Sequence, residues 1–333
     1  MFVHCVYGST SSAYQYVVMD STTGRVLAGK NYNTSSLIAS ITKIMTCVIA
    51  IESNKLDDIV VVDDTILKAY GSGIYIKVGE ELTLRDLLYG LMLRSGNDAA
   101  LMVSKYVGGS VDNFVGMMNS KAHDIGMKNT LFVNPSGLDD DGGNYSSAYD
   151  MALLTRYAMK YNEYRKIVST KKYSLKTNMN TYIWKNKNKL LSEDYITGGK
   201  TGFTEKAKRT LVSTGSKNNI DLIVVTIRDS DDWNTHKSLY NMIFNNYKSY
   251  KFLDKNNFKI IGNNYYKGSF YIKNDVYIPV LESELSNISG KVILDVIDNY
   301  KTGDKVGYYE ISLGNKSIYK EDIYIKKKIK RNY

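Results

Sequence analysis

At 333 residues the chain is long enough for two domains, and 43% hydrophobic with 23% charged residues describes an ordinary globular protein. A formal charge of +10 implies an anionic neighbourhood, yet no nucleic-acid module accompanies it, which ranks an acidic membrane surface or polymer above nucleic acid. Two cysteines (Cys5, Cys47) make no disulfide framework, three scattered histidines (His4, His123, His236) offer neither metal-ligand spacing nor a Ser-His-Asp triad, and no apolar run reaches the roughly 18 residues of a membrane-spanning helix.

Residues 1–13 read as an N-terminal tail; its apolar start is too short for a whole signal peptide and fits the remnant of one or an ordinary frayed N-terminus equally. Tyr14 to Met19 and Arg25 to Lys30 are expected strands, joined by the turn residues Asp20 to Gly24. Ala39 to Ala50 is the organising helix, because Ile41, Ile44, Met45, Val48 and Ile49 fall on one face. Ser40 stands at its start, where a hydroxyl is expected to cap the first turn. Cys47 falls on the apolar side as a small core residue.

Ile59 to Val62 reads as a strand, and Gly71-Ser72-Gly73 as a turn before the apolar-alternating stretch Ile74 to Val78. Leu84, Leu87, Leu88, Leu91 and Met92 form a second helical stripe with Thr83 as its cap. Helices follow over Ala99 to Val107 and Val111 to Ile125, so Ser95-Gly96-Asn97 sits in a tight connection between helices. Leu131 to Gly137 is extended and then turns, and Ser146-Ser147 is placed to cap the helix of Met151, Leu154 and Tyr157. Residues 164–192 are polar, with alternating patches such as Tyr173-Ser174-Leu175-Lys176 that assign no element. Leu211 to Thr214 and Leu222 to Ile227 read as strands, and a helix runs from about Trp233 to Tyr247. After Ser249, short alternating segments without helical period imply a small all-β domain, followed by the basic tail 326–333.

Three short patterns carry chemistry. Lys43 lies one turn after Ser40, so its amine returns over the hydroxyl; such a pair serves as nucleophile and base when burial and cationic neighbours lower the lysine pKa. Ser95 and Asn97, two residues apart around Gly96, can point into one cleft. Around Lys200, Thr201 and Gly202, glycines let a substrate backbone approach an edge strand, and the lysine and threonine offer a cation and a hydroxyl to a carboxylate. Each pattern alone is a common surface feature. Ser-x-x-Lys recurs at Ser169-Thr170-Lys171-Lys172, and Lys-Thr-Gly recurs at Lys301-Thr302-Gly303, where it reads as a hairpin turn.

Taken in order, Ser-x-x-Lys, Ser-x-Asn and Lys-Thr-Gly form the set used by penicillin-binding proteins and class A β-lactamases. The surrounding segments Ser40 to Thr46, Leu88 to Ala100, Gly126 to Thr130, Asn134 to Leu138, Ser146 to Ala152 and Gly198 to Gly202 make the chain resemble the serine-type D-alanyl-D-alanine carboxypeptidases, the low-molecular-mass penicillin-binding proteins. The resemblance covers roughly residues 14–248. It implies an α+β fold of the penicillin-binding and β-lactamase-like transpeptidase type: an antiparallel sheet flanked by helices, plus a helical lobe. The catalytic domain would span 14–248 and the β-rich C-terminal domain 249–325.

The resemblance also implies roles. Ser40 is the nucleophile towards the bond between the last two D-alanines of a peptidoglycan stem peptide, Lys43 its base, Ser95 a proton relay and Asn97 a contact to the substrate backbone. Lys200, Thr201 and Gly202 frame the terminal carboxylate, and the backbone N–H groups of Ser40 and Phe203 form the oxyanion hole. No cofactor or metal is implied. β-Lactams would acylate Ser40, and the place of action would be the bacterial cell envelope outside the cytoplasm, with anionic membrane or wall polymers as further contacts. The chain departs from the family at Phe203, where His or Tyr is common, and at Lys208, where glycine is usual. Arg228 is the candidate offered for an additional basic residue at the carboxylate. The alternatives are a class A-like β-lactamase, which needs a deacylating glutamate between the second and third motifs, and a non-catalytic wall-binding protein on the same fold. Only Glu163 and Glu193 lie in that interval, and neither has the Glu-x-x-Leu-Asn context.

Overall fold

The structure is a computed structural model and describes residues 11–140 and 142–327. His4 and Cys5 and the end of the basic tail lie outside the described residues. By compactness the chain divides into two units, one holding most of the residues up to 242 and the other residues 243 onward.

In the first unit, β1 (Gln15–Asp20) and β2 (Val26–Lys30) form the expected hairpin, and β3 (Ser36–Leu37) leads to a 3-10 turn at Ala39–Thr42 and helix α1 (Lys43–Glu52). The apolar stripe of α1 is fully used, since Ile41, Ile44, Met45, Cys47 and Val48 are all solvent-free. The first strand pair of the lobe is β4 (Ile59–Val61) with β5 (Glu81–Thr83), and helices α2 (Leu84–Tyr89), α3 (Asn97–Gly108) and α4 (Val111–Ile125) follow. Thr83 caps α2 as expected, and does so reciprocally: its hydroxyl accepts from the Asp86 N–H and the Asp86 carboxylate accepts from the Thr83 N–H, each at 3.0 Å. Then come β6 (Tyr145–Ser146), α5 (Ala148–Ala158) with Ser147 as its cap, and α6 (Asn162–Ser169).

The polar stretch with alternating patches contains α6 and a hairpin, β7 (Lys172–Lys176) with β8 (Thr181–Lys185). Its strand signal is hard to read because only Trp184 on β8 is fully buried. The rings of Tyr173 and Tyr89 stack at 3.8 Å, which seats the hairpin on the helical lobe. The long strands β9 (Ile196–Thr204), β10 (Lys208–Lys217) and β11 (Ile220–Ile227) complete a five-stranded sheet in the order β2-β1-β11-β10-β9, and α7 (Asp232–Asn246) closes this part of the chain. The β1–β11, β1–β2 and β9–β10 pairings are antiparallel, and β9, with the third motif, is an edge strand.

The second unit is all-β apart from the end of α7 and a short 3-10 turn. Strands β12 (Lys248–Leu253) and β14 (Val276–Val280) pair, and β13 (Gly268–Tyr271), β15 (Ile288–Leu294), β16 (Lys305–Leu313) and β17 (Lys316–Lys327) form a sheet in the order β13-β17-β16-β15. Its core is its own, built on Leu253, Phe270, Ile278, Val306, Ile323 and Ile325.

Two expectations are corrected, and one unassigned stretch is resolved. The Ser40 side chain makes no capping bond; α1 begins at Lys43 behind a 3-10 turn. The apolar-alternating stretch Ile74 to Val78, to which the sequence assigned no element, forms no strand: the Asp98 carboxylate accepts from the N–H of Ile74 at 3.0 Å and of Tyr75 at 2.7 Å, and Tyr75 is held at φ 62°. The basic run does not begin as a free tail, since Lys326 and Lys327 pair with Ser269 and Gly268 in β17.

Candidate active site

Ser40 and Lys43 meet through the geometry of the 3-10 turn, in which side chains at i and i+3 eclipse. Lys43 Nζ lies 3.0 Å from Ser40 Oγ. The lysine is completely buried, and its amine also donates to Asn97 Oδ1 at 2.8 Å and to the Ser136 carbonyl at 2.6 Å. Burial pulls the Lys43 pKa down to about 7, the cation of Lys187 adds to that, and Asp98 opposes it. An amine that titrates near neutrality beside a hydroxyl is equipped to take its proton.

The backbone is strained at two of the motifs. Ala39, just before the nucleophile candidate, has φ 49°, and Ser95 has φ 65°. A left-handed conformation costs a non-glycine residue about 1–2 kcal/mol, and such strain collects where a side chain must be aimed. Ser95 follows a π-helical turn at Gly90–Arg94, so the second motif sits on an irregular helix end. Asn97 is fixed at both ends of its amide, with Nδ2 donating to the Tyr70 carbonyl at 2.6 Å.

The third motif lies against the first. A Cβ on Gly202 would stand 2.9 Å from the Ser40 backbone nitrogen and 2.4 Å from Thr210 Oγ1, so only glycine lets β9 run this close to the nucleophile turn. Lys200 is 1% exposed and donates to the Thr201 carbonyl at 2.7 Å. Burial and the cations of Lys43 and Lys187 hold its pKa well below the ordinary lysine value. Phe203 stands 56% exposed on the same strand. The structure thus brings Ser40, Lys43 and Asn97 into one hydrogen-bonded cluster and lays the strand of Lys200 to Phe203 beside it. The decoys lie elsewhere: Ser169 ends α6 with its hydroxyl on the Lys166 carbonyl, and Lys301 sits on an exposed turn.

The profile of the D-alanyl-D-alanine carboxypeptidase family matches residues 5–231. The chain belongs to this family. A second profile, the C-terminal domain of penicillin-binding protein 5, matches residues 247–331. The D-alanyl-D-alanine carboxypeptidase DacF of Bacillus subtilis is 34% identical over 250 residues, 72% of this chain and 64% of its own length. DacA of Escherichia coli K12 is 34% identical over 231 residues, 63% of this chain and 55% of its own length. The chain therefore spans about three-fifths of these two relatives. Penicillin binding protein 5 from Haemophilus influenzae superposes with a TM-score of 0.78 at 26% identity, covering 97% of this chain and 98% of that one. The fold is accordingly the α+β penicillin-binding type with a C-terminal all-β domain.

Within this D-alanyl-D-alanine carboxypeptidase frame the departures acquire reasons. Lys208 has φ 61°, so the position still demands the backbone that glycine adopts freely, and lysine is forced into it. Arg228 stands away from the third motif. It follows β11, one strand farther from Thr201 than β10, and its guanidinium lies over the Tyr14 ring, 5.9 Å from the centroid. Arg209 is better placed. Leu211 pairs with Thr201, so Arg209, two residues away on β10, shares the Thr201 face, and Asp232 anchors it at 2.5 and 3.0 Å. Motif spacing around Lys200 did not point to it.

The Ser136 carbonyl was also missed, because a backbone acceptor has no side-chain signature. The segment Asn134 to Leu138 is strapped to α1 through Thr46, whose hydroxyl donates to the Pro135 carbonyl at 2.7 Å. Glu163 pairs with Arg85 at 2.5 Å and Glu193 with Lys237 at 2.7 Å, so both glutamates of the interval between the motifs are engaged in ion pairs. His236 is buried between Ser213 and Thr226 with its pKa lowered to about 3, a neutral bridge within the sheet and α7.

Proposed function

We propose that the chain is a serine-type D-Ala-D-Ala carboxypeptidase acting on peptidoglycan stem peptides, with residues 14–248 as its catalytic domain. The observation that carries this is the buried Lys43 amine, lowered to about pKa 7 and 3.0 Å from the Ser40 hydroxyl. Ser40 Oγ attacks the carbonyl carbon of the penultimate D-alanine as Lys43 takes its proton. The oxyanion accepts from the backbone N–H groups of Ser40 and Phe203, each donor being worth roughly 3–4 kcal/mol in the transition state. The C–N bond breaks, and the departing D-alanine amine receives a proton through Ser95. Water then adds to the ester carbonyl and Ser40 leaves, regenerating the hydroxyl and a shortened stem.

Asn97 orients the substrate backbone. Lys200, Thr201 and Gly202 receive the terminal carboxylate, with Arg209 as the second cation. An arriving carboxylate favours the ammonium form of Lys200, which burial alone disfavours. The same site takes a β-lactam as a covalent inhibitor. The ion-paired state of Glu163 and Glu193 supports slow deacylation, and so carboxypeptidase over β-lactamase. The family frame supports action in the cell envelope, with wall polymers or an anionic membrane as neighbours of the basic chain.

The test is a time course of intact mass after benzylpenicillin is added, with the adduct mapped by digestion, alongside D-alanine release from a pentapeptide. A long-lived adduct on Ser40, absent with Ser40→Ala, is the expected result. Rapid turnover of the adduct would move the assignment to β-lactamase, and folded protein with neither acylation nor D-alanine release would make it a non-catalytic wall-binding protein.

A further inference from the structure

The second motif raises a mechanical problem. Ser95 is left-handed at φ 65°, the turn before it is π-helical, and Asn97 must stay on Lys43. An irregular turn of this kind persists only when its surroundings over-determine it. Beyond the bonds of Asn97 to Lys43 and Tyr70, one residue from a distant part of the chain reaches both flanks of this turn. The Lys187 backbone N–H donates to the Leu93 carbonyl at 3.1 Å, on the near side of Ser95. The Lys187 ammonium donates to Ser72 Oγ at 3.1 Å. The Ser72 carbonyl in turn accepts from the Asn97 N–H at 2.7 Å, on the far side of Ser95.

Lys187 is itself held on both flanks. Before it, the β7–β8 hairpin is seated by buried Trp184. After it, Asn188 is buried and its side chain accepts from the Leu190 N–H at 3.1 Å, starting a 3-10 turn. We infer that Lys187 is a positioning residue of the cleft, bracing the Ser95-Gly96-Asn97 turn from both sides through Leu93 and Ser72. This rests on the carboxypeptidase reading of the site. Its cation also reaches the reacting groups, since it depresses the pKa of both Lys43 and Lys200. The charged neighbours of this set are Asp98, which opposes the effect on Lys43, and Arg94, which acts on Lys187.

The inference separates two contributions that substitution can tell apart. The bond to Ser72 is shared by Lys187 and Ser72, whereas the charge belongs to Lys187 alone. The experiment is the acylation rate constant with benzylpenicillin, read by intact mass across the pH range in which Lys43 titrates. The proteins are the wild type, Ser72→Ala, Lys187→Met, Lys187→Arg and the Ser72→Ala/Lys187→Met pair. Ser72→Ala and Lys187→Met are each expected to slow acylation about tenfold, and the pair to be no slower than Lys187→Met alone. Lys187→Met moves the acid limb to higher pH, because Lys43 loses a repelling cation, while Ser72→Ala and Lys187→Arg leave the limb in place. A rate within about twofold of wild type for Ser72→Ala, or multiplying losses in the pair, overturns the brace. If Lys187→Met does not fold, Ser72→Ala and Lys187→Arg still decide it. Wild-type and Ser40→Ala controls in the same run separate failure of the brace from failure of the site: a Ser40 adduct with normal Ser72→Ala kinetics indicts the brace alone.

Discussion

The chain carries the tripeptide Lys-Thr-Gly twice, and the two copies differ in everything except sequence. At 200–202 it is part of edge strand β9, Lys200 is solvent-free, and Gly202 presses on the Ser40 backbone. At 301–303 it is an exposed turn between β15 and β16, where the Lys301 N–H donates to Asp304 Oδ2 at 2.6 Å and Gly303 takes φ 96°. One lysine has lost its solvation and is electrostatically primed for an anion, and the other is hydrated and inert. The first glycine is needed for closeness, the second for backbone conformation. Chemistry thus resides in what the fold places opposite a motif.

The widest separation between the copies is expected at their lysines. Lys200→Ala should lower kcat/KM for D-alanine release by about 10²–10³, since it removes a desolvated charge partner of the substrate carboxylate, whereas Lys301→Ala should change nothing measurable. Equal effects at both would break the comparison. The glycines sharpen it. Gly202→Ala should slow acylation by about 10–100-fold by pushing β9 off the Ser40 turn, while Gly303→Ala should cost about 1 kcal/mol in denaturant unfolding and leave acylation untouched.

Acylation should also show an acid limb with an apparent pKa of about 7, falling about tenfold per pH unit below it, because protonated Lys43 cannot accept the Ser40 proton. The sign for stability is parallel. The folded-state pKa of Lys43 lies below its unfolded value, so its contribution disfavours the folded state most below pH 7, and relief comes as pH rises towards the unfolded value. A rate profile flat through neutrality would remove Lys43 as the base. The smallest effect is expected at Lys208→Gly, which should stabilise by about 0.5–1 kcal/mol in chemical denaturation by relieving φ 61°, with activity retained.

Much of the fold was legible in local pattern. The stripes of α1 and α2, the Thr83 and Ser147 caps and the strands of the main sheet depend on periodicity and capping chemistry, which neighbours in sequence supply. Where local pattern misled or assigned no element, a distant group had intervened. Asp98 took the N–H groups that a strand at Ile74 to Val78 would have used. The 3-10 turn at Ala39–Thr42 aimed the Ser40 hydroxyl at Lys43 instead of at the helix backbone. The hairpin β7–β8 was hard to read because its inner face, Tyr173, Leu175, Tyr182 and Trp184, is mostly half-buried and made of short alternating patches in a polar stretch.

By itself the sequence determined the family, the α+β architecture, and which residue types stand at each motif, because these follow from local spacing and from segments that are distinctive as strings. Only the tertiary structure decided that Lys43 is solvent-free with a pKa of about 7, that Ser136 supplies a carbonyl to it, and that Arg209 shares a face with Thr201. The environment of Lys43 depends on desolvation and on partners 54 and 93 residues away, and electrostatic energy in a low-dielectric interior is set by distance in space and not along the chain.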